Sequence, residues 1–231
     1  LPQLLAADPA IVSKTSEVAA RLGITEIVPI LQASFEDHSL PAQQRVSALK
    51  SWVGMRGADL MSQLFEAAST DPAVEVRAAA LELLTPIDAS KAEPLLAKAI
   101  NQGSMVEQQA ALRAVTRLSK ASALPILTSA VERVADGSLA EGAHLELMEA
   151  LAVAEAIELV GKFLAKRANP NTSGMSAQFP ELLVGGDVEK GRRVFFEKTE
   201  VSCVRCHAIG GVGGAVGPEL TNLGGKKERG Y

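Results

Sequence analysis

The sequence predicts an all-α chain, an α-solenoid of about five helical hairpins followed by a small partial domain. Three observations lead there. Aromatic residues make up only 3% of the 231 and the chain is rich in Ala and Leu, which suits helices packed through small side chains. From Leu1 to about Asn169 no segment shows the apolar/polar alternation of a strand. Helix starts also recur: Asp8-Pro9-Ala10, Leu40-Pro41-Ala42 and Asp71-Pro72-Ala73 are spaced by 32 and 31 residues. Pro suits the first helical position, where its missing N–H would have had no partner.

Two further helices, beginning near Ser104 and Ser138, continue the period without the proline. The second helices of the hairpins are expected at Ile24–Phe35, Ala58–Ser69, Lys91–Asn101, Ala123–Ala135 and Ile157–Arg167. Two helices per interval of 31 to 34 residues is a solenoid signature. The clearest unit is Asp71-Pro72-Ala73-Val74-Glu75-Val76-Arg77-Ala78-Ala79-Ala80-Leu81-Glu82-Leu83-Leu84. It resembles the first helix of a HEAT repeat, with Asp71, Val76-Arg77, Ala80 and Leu84 at the matching positions. Arg45-Val46-Ser47-Ala48-Leu49 and Gln108-Gln109-Ala110-Ala111-Leu112 repeat its core. Ala48, Ala80 and Ala111 would let neighbouring helices approach, and Leu49, Leu81 and Leu112 would fill the seam.

Residues 1–169 are therefore expected to be a scaffold. A hairpin cannot bury its own apolar face, whereas a stack of them makes a continuous core and a curved surface. No catalytic site is expected in it. His38 reads as a solvated loop residue, His144 as a packed or surface residue, and Trp52 as packing. Glu132, Glu141, Glu146, Glu149, Glu155 and Glu158 read as a solvated helix face. The net charge is −4 with no basic run, which gives a nucleic-acid groove no electrostatic support. No stretch of 18 uncharged apolar residues exists to span a membrane. The pattern gives no oligomeric state.

Residues 170–184, opening with Pro170-Asn171-Thr172-Ser173-Gly174, are rich in turn formers and read as a linker. Phe179 and Leu182-Leu183-Val184 are candidates to anchor it against the helices. Residues 185–231 form the small domain. It carries both cysteines of the chain, in Cys203-Val204-Arg205-Cys206-His207.

Cysteines three positions apart followed at once by histidine form the attachment signature of c-type haem. Each thiol can add to one vinyl group of the same haem, and the imidazole is then held beneath the iron as its axial ligand. Cys203 and Cys206 are thus the candidates for thioether bonds, and His207 for the iron ligand. Two other chemistries use such residues. A structural zinc site takes four Cys or His ligands, and the motif supplies three. A thiol–disulfide couple of the C-x-x-C type expects a βαβ setting, which the glycine-rich sequence after His207 does not offer.

Upstream of the motif, Asp187 reads as the N-cap of a short helix that places Gly191 and Phe195 on one face. Downstream, Gly210-Gly211-Val212-Gly213-Gly214-Ala215-Val216-Gly217-Pro218-Glu219-Leu220 reads as a flexible loop whose backbone can pass close to a flat cofactor. Together, Gly191-x-x-x-Phe195, Cys203-x-x-Cys206-His207 and Gly217-Pro218-Glu219-Leu220 resemble the first half of a class I cytochrome c domain. The resemblance implies that the Pro218 carbonyl accepts the second N–H of His207. No Met or His follows His207, so the expectation is that the sixth ligand and the closing helix of such a domain lie beyond Tyr231.

Helical repeats followed by this motif resemble the C-terminal portion of large haem-binding proteins of planctomycete and verrucomicrobial bacteria. That resemblance implies electron transfer through covalent haem c, with iron as the redox centre. The repeats would act as spacer in a larger dehydrogenase-like protein, with a redox partner or fused dehydrogenase domain, in the periplasm or otherwise outside the cytoplasm. The other reading is a protein-interaction scaffold whose Cys/His motif is unoccupied or binds a metal.

Overall fold

A computed structural model describes Thr15, Val18, Ala19, residues 21–166 and residues 179–227. The helix start at Asp8-Pro9-Ala10 and the linker up to residue 178 lie outside the described residues. The chain is all-α apart from one two-stranded antiparallel sheet, and it divides between Arg167 and Ala168 into two units.

In the first unit a 3-10 turn, Thr25–Ile27, runs into α1, Val28–Glu36. Then follow α2 Ala42–Arg56, α3 Met61–Thr70, α4 Val74–Leu84, α5 Ala89–Gln102, α6 Met105–Val115, α7 Lys120–Ala135, α8 His144–Val153 and α9 Ile157–Lys166. Helices α2, α4, α6 and α8 pack successively in one row, and α3, α5, α7 and α9 in a second. Between the rows lie Leu49, Leu64, Leu84, Leu96, Leu112, Leu127 and Leu147, all fully buried. Ala48, Ala80 and Ala111 are buried beside them, so small side chains do occupy the helix seams. Trp52 is buried against Phe35, with ring centroids 5.9 Å apart.

Local chemistry decides where each helix starts. Asp88 accepts from Lys91 N at 3.1 Å and Ser119 from Ser122 N at 3.2 Å. These N-caps begin α5 and α7 ahead of Lys91 and Ala123, where the sequence pattern had placed them. Pro94 and Pro125 fall inside these helices, as they do in the expected ranges. Ser104 and Glu107 form a reciprocal capping box at α6. The proline-marked starts differ from expectation. Pro41 is the N-cap of α2 rather than its first residue. Pro72 precedes the Ala73 N-cap of α4, because the Asp71 carboxylate accepts from Ala73 N at 2.9 Å and keeps the segment extended.

Polar side chains of the first row reach across to the next hairpin. Arg45 is buried and donates to both Asp71 carboxylate oxygens, at 3.0 and 2.6 Å, and to the Phe35 carbonyl at 2.8 Å. Arg77 donates to Glu107 at 2.7 Å. Gln108 donates to Ser138 O at 3.2 Å and accepts from Ala140 N at 2.9 Å. That clamp holds 138–140 extended, so the helix expected near Ser138 begins only with the 3-10 turn Glu141–Ala143 and α8. Gln109 donates to Gly142 O at 2.8 Å, and Arg113 joins Glu82 at 2.8 Å to Glu146 at 3.2 Å.

Glu146 departs from the expected solvated face. It is buried, while Glu132, Glu141, Glu149, Glu155 and Glu158 are exposed. His38 is exposed in the α1–α2 loop, and His144 lies edge-on to Phe163 with ring centres 5.9 Å apart. Among the described residues, no helix is long and apolar enough to cross a membrane.

In the second unit the described residues include a 3-10 turn, Pro180–Leu182, preceded by Phe179, and both Phe179 and Leu182 are exposed. Helix α10, Val188–Glu197, follows, with Asp187 accepting from Lys190 N at 2.9 Å as its cap. Next come the single turn α11, Cys203–Cys206, then β1 Ala208–Ile209 and β2 Val212–Gly213, and the short helix α12, Leu223–Lys226. The strands are antiparallel, with Ala208 opposite Gly213 and Ile209 opposite Val212.

Two measurements test the cross-hairpin ties. Arg45→Met should cost about 3–5 kcal/mol in urea unfolding, because it leaves a buried carboxylate unpaired. The double variant Arg45→Met/Asp71→Leu should recover much of that loss. Burial pushes the Glu146 carboxyl above its ordinary value, and Arg113 opposes this only in part. A group with a raised folded value adds stability below its unfolded value, about pH 4.3, and loses it as pH rises through the folded value. The stability of the wild type relative to Glu146→Gln should therefore rise as pH is lowered from neutral toward 4.3.

Candidate functional site

The Cys203–His207 segment is a tight turn set by its backbone. Ser202 has left-handed backbone, φ +48°, and its N–H donates to Lys198 O at 3.1 Å. That reversal starts α11, which is closed by Arg205 N to Ser202 O and His207 N to Cys203 O, both 3.0 Å. Cys203 is half-buried and Cys206 exposed, and both are free thiols. Three positions apart on one helical turn, they share a face.

The chain after His207 folds back over this turn. Gly210 and Gly211, φ +61° and +76°, make the two-residue hairpin turn with positive φ at both positions that antiparallel strands favour. Gly214 N donates to Val204 O at 2.8 Å, Gly217 N to Cys206 O at 2.7 Å, and Leu220 N to Ala208 O at 2.9 Å. Thr221 pins the hairpin tip, its hydroxyl accepting from Gly210 N at 2.7 Å and donating to the Glu219 carboxylate.

The segment expected to be a flexible loop is thus tied back at several points. Two of its glycines approach the chain's own backbone closely. A Cβ on Gly214 would lie 2.6 Å from the Arg205 carbonyl carbon and closer still to its oxygen. One on Gly213 would meet His207 O and, at 2.9 Å, Ala208 Cα. The backbone of this loop packs on the cysteine turn itself.

That packing presents His207. Its Nδ1 lies 2.9 Å from Pro218 O, and a carbonyl can only accept, so Nδ1 carries the proton and donates. In the neutral ring Nε2 then holds the lone pair, and the bond raises the ring's basicity as a ligand. Pro218, named from the resemblance, supplies this acceptor.

Apolar side chains of this unit are uncovered. No apolar side chain among residues 179–227 is buried. Val188 and Val216 are 86% and 87% exposed, and Val194, Val201, Val212 and Leu223 are exposed as well. Phe195 and Phe196 are half-buried, with ring centroids 4.8 Å apart. Apart from its chain neighbours and its own helix backbone, nothing described lies within 4 Å of where a Gly191 side chain would begin.

Among the described residues, no three His, Cys, Asp or Glu side chains are grouped to share a metal ion. A structural zinc site takes four such ligands, and haem iron takes a single proximal ligand from the protein turn. No protein-family model, curated protein or solved structure matches the chain. The residues themselves carry the functional reading.

Sequence reasoning found the thiols, the imidazole and the carbonyl but missed Ser202, Gly214 and Thr221. Ser202 and Thr221 had no usable signal, being ordinary polar residues in a loop. Gly214 was hidden among its neighbouring glycines. Gly214→Ala should destabilise this unit by about 1–3 kcal/mol, since its Cβ overpacks fixed backbone. Faster amide exchange at Gly214 and Gly217 would report it, with Gly224→Ala, whose Cβ meets nothing within 4 Å, as the unaffected control.

Proposed function

We propose that this chain transfers electrons through one covalently bound c-type haem, attached at Cys203 and Cys206 and ligated by His207. What carries the reading is the hydrogen bond from His207 Nδ1 to Pro218 O. It sets the tautomer that an axial imidazole needs, directly beside two unpaired thiols on one turn. A structural role for His207 would not require Nε2 to be left as the lone-pair nitrogen.

The surroundings fit a large apolar group. Val188, Val194, Val201, Val212, Val216 and Leu223 are exposed in a unit with no buried apolar side chain of its own among the described residues. Such a unit lacks the core that normally stabilises a small domain, and a bound macrocycle would bury apolar surface on its behalf. The haem supplies a one-electron couple between ferric and ferrous iron. The chain's own residues hold it: two thiols fix its position, His207 its orientation, and Pro218 the direction of the imidazole.

On this reading residues 185–227 belong to a partial cytochrome c-like domain. The two rows of the first unit, with Arg45, Arg77, Gln108 and Arg113 tying hairpin to hairpin, are a HEAT-like α-solenoid acting as spacer and docking scaffold. The electron donor is a redox partner protein or a fused dehydrogenase domain, and the compartment is the periplasm or another extracytoplasmic space where haem c is attached.

The test is intact mass and a pyridine haemochrome spectrum on protein co-expressed with an export-linked cytochrome c maturation system. The expected result is a gain of one haem that Cys203→Ala/Cys206→Ala abolishes. Correctly exported protein without haem would overturn the reading in favour of a binding scaffold.

A further inference from the structure

The pose of His207 depends on a neighbour that has no side chain. Gly217 N donates to Cys206 O at 2.7 Å, which brings the Gly217 backbone against the imidazole. A Cβ there would lie 2.6 Å from His207 Cε1, 2.8 Å from Nδ1 and 3.0 Å from Nε2. Carbon atoms in contact sit about 3.5–4.0 Å apart, so the ring would have to retreat by about 1 Å. The bond from Nδ1 to Pro218 O, 2.9 Å long, would then be stretched past the usual limit of about 3.2 Å.

We propose that Gly217 is the positioning residue of this site, holding His207 in the Nδ1-protonated pose by offering its ring a bare backbone to lie against. Its purpose, ligation through Nε2, rests on the haem reading; its geometric content does not. Gly217 differs in this from the other glycines of the segment. Gly213 and Gly214 press on main-chain atoms of residues 205–208, and Gly210, Gly211, Gly224 and Gly225 have nothing within 4 Å of a Cβ. Gly217 alone among them meets the functional side chain.

The experiment is long-range ¹⁵N–¹H correlation of the imidazoles in the haem-free chain, at a pH where the ring is neutral. Signals of His38 and His144 are assigned with His38→Gln and His144→Gln. Wild type and Gly224→Ala should show His207 as one tautomer, protonated at Nδ1. Gly217→Ala should shift the tautomer ratio toward Nε2–H by roughly 2- to 10-fold, the equilibrium worth of one hydrogen bond. The amides of Gly214 and Leu220, which hold the loop through their own bonds, should stay protected.

An unchanged tautomer in Gly217→Ala would overturn the proposal. So would loss of Gly214 and Leu220 protection together with the tautomer, since Gly217 would then be a general loop residue. Failure of the haem reading is a separate result: exported wild type without haem would leave the tautomer measurement standing. Haem attached to Gly217→Ala with an unaltered tautomer would remove the role of Gly217 and leave the haem.

Discussion

An amphipathic helical pair has apolar surface that its own two helices cannot cover, and a short glycine-rich unit has too few large side chains to build a core. Both shortages occur in this chain. In the first unit the remedy is repetition: each hairpin lays its Leu and Ala side chains against the next, so that Leu84, Leu112 and Leu147 are wholly buried between rows. In the second unit the described residues contain no equivalent. Its apolar side chains are exposed or at most half-buried, and backbone hydrogen bonds hold the segment around one turn.

Repetition alone does not set register, because Ala and Leu seams can slide. The polar ties remove that freedom. Arg45, Gln108, Gln109 and Arg113 each bond a group about one repeat away, and a slipped register would leave buried donors unpaired at a cost of about 1–3 kcal/mol each. Arg113 also bonds back to Glu82, so one guanidinium joins three consecutive first-row helices. The same ties displace helix starts. Asp71, occupied with Arg45 and Ala73 N, delays α4, and Gln108, occupied with Ser138 and Ala140, delays α8.

This explains what was legible in the sequence. The all-α class and the helical segments follow from spacing and composition, which are local properties. The motif Cys203-x-x-Cys206-His207 is legible because its chemistry is written in adjacent residues. Helix starts were less so. Helices α5 and α7 start at the caps Asp88 and Ser119, which the recurring spacing does not single out. The burial of Glu146 was illegible because its partner Arg113 is distant in sequence. The composition of the glycine run announces close approach, and Gly213, Gly214 and Gly217 make such an approach to the cysteine turn itself, a detail that composition alone does not carry.

The two properties of the second unit belong together. Ordering a side chain and its backbone costs conformational entropy, and a site that pre-sets its ligand meets that cost before the group arrives. Here the pre-setting is done by hydrogen bonds, through Gly214, Gly217, Pro218 and Thr221, which need no hydrophobic core. The apolar side chains are thereby left free of any structural duty among the described residues. Val188 and Val216 pack against almost nothing, so covering them would not require existing contacts to be broken. On the proposed function, a large flat group would complete this unit rather than enter a finished one, because the frame that fixes the imidazole is polar and the exposed apolar side chains are uncommitted.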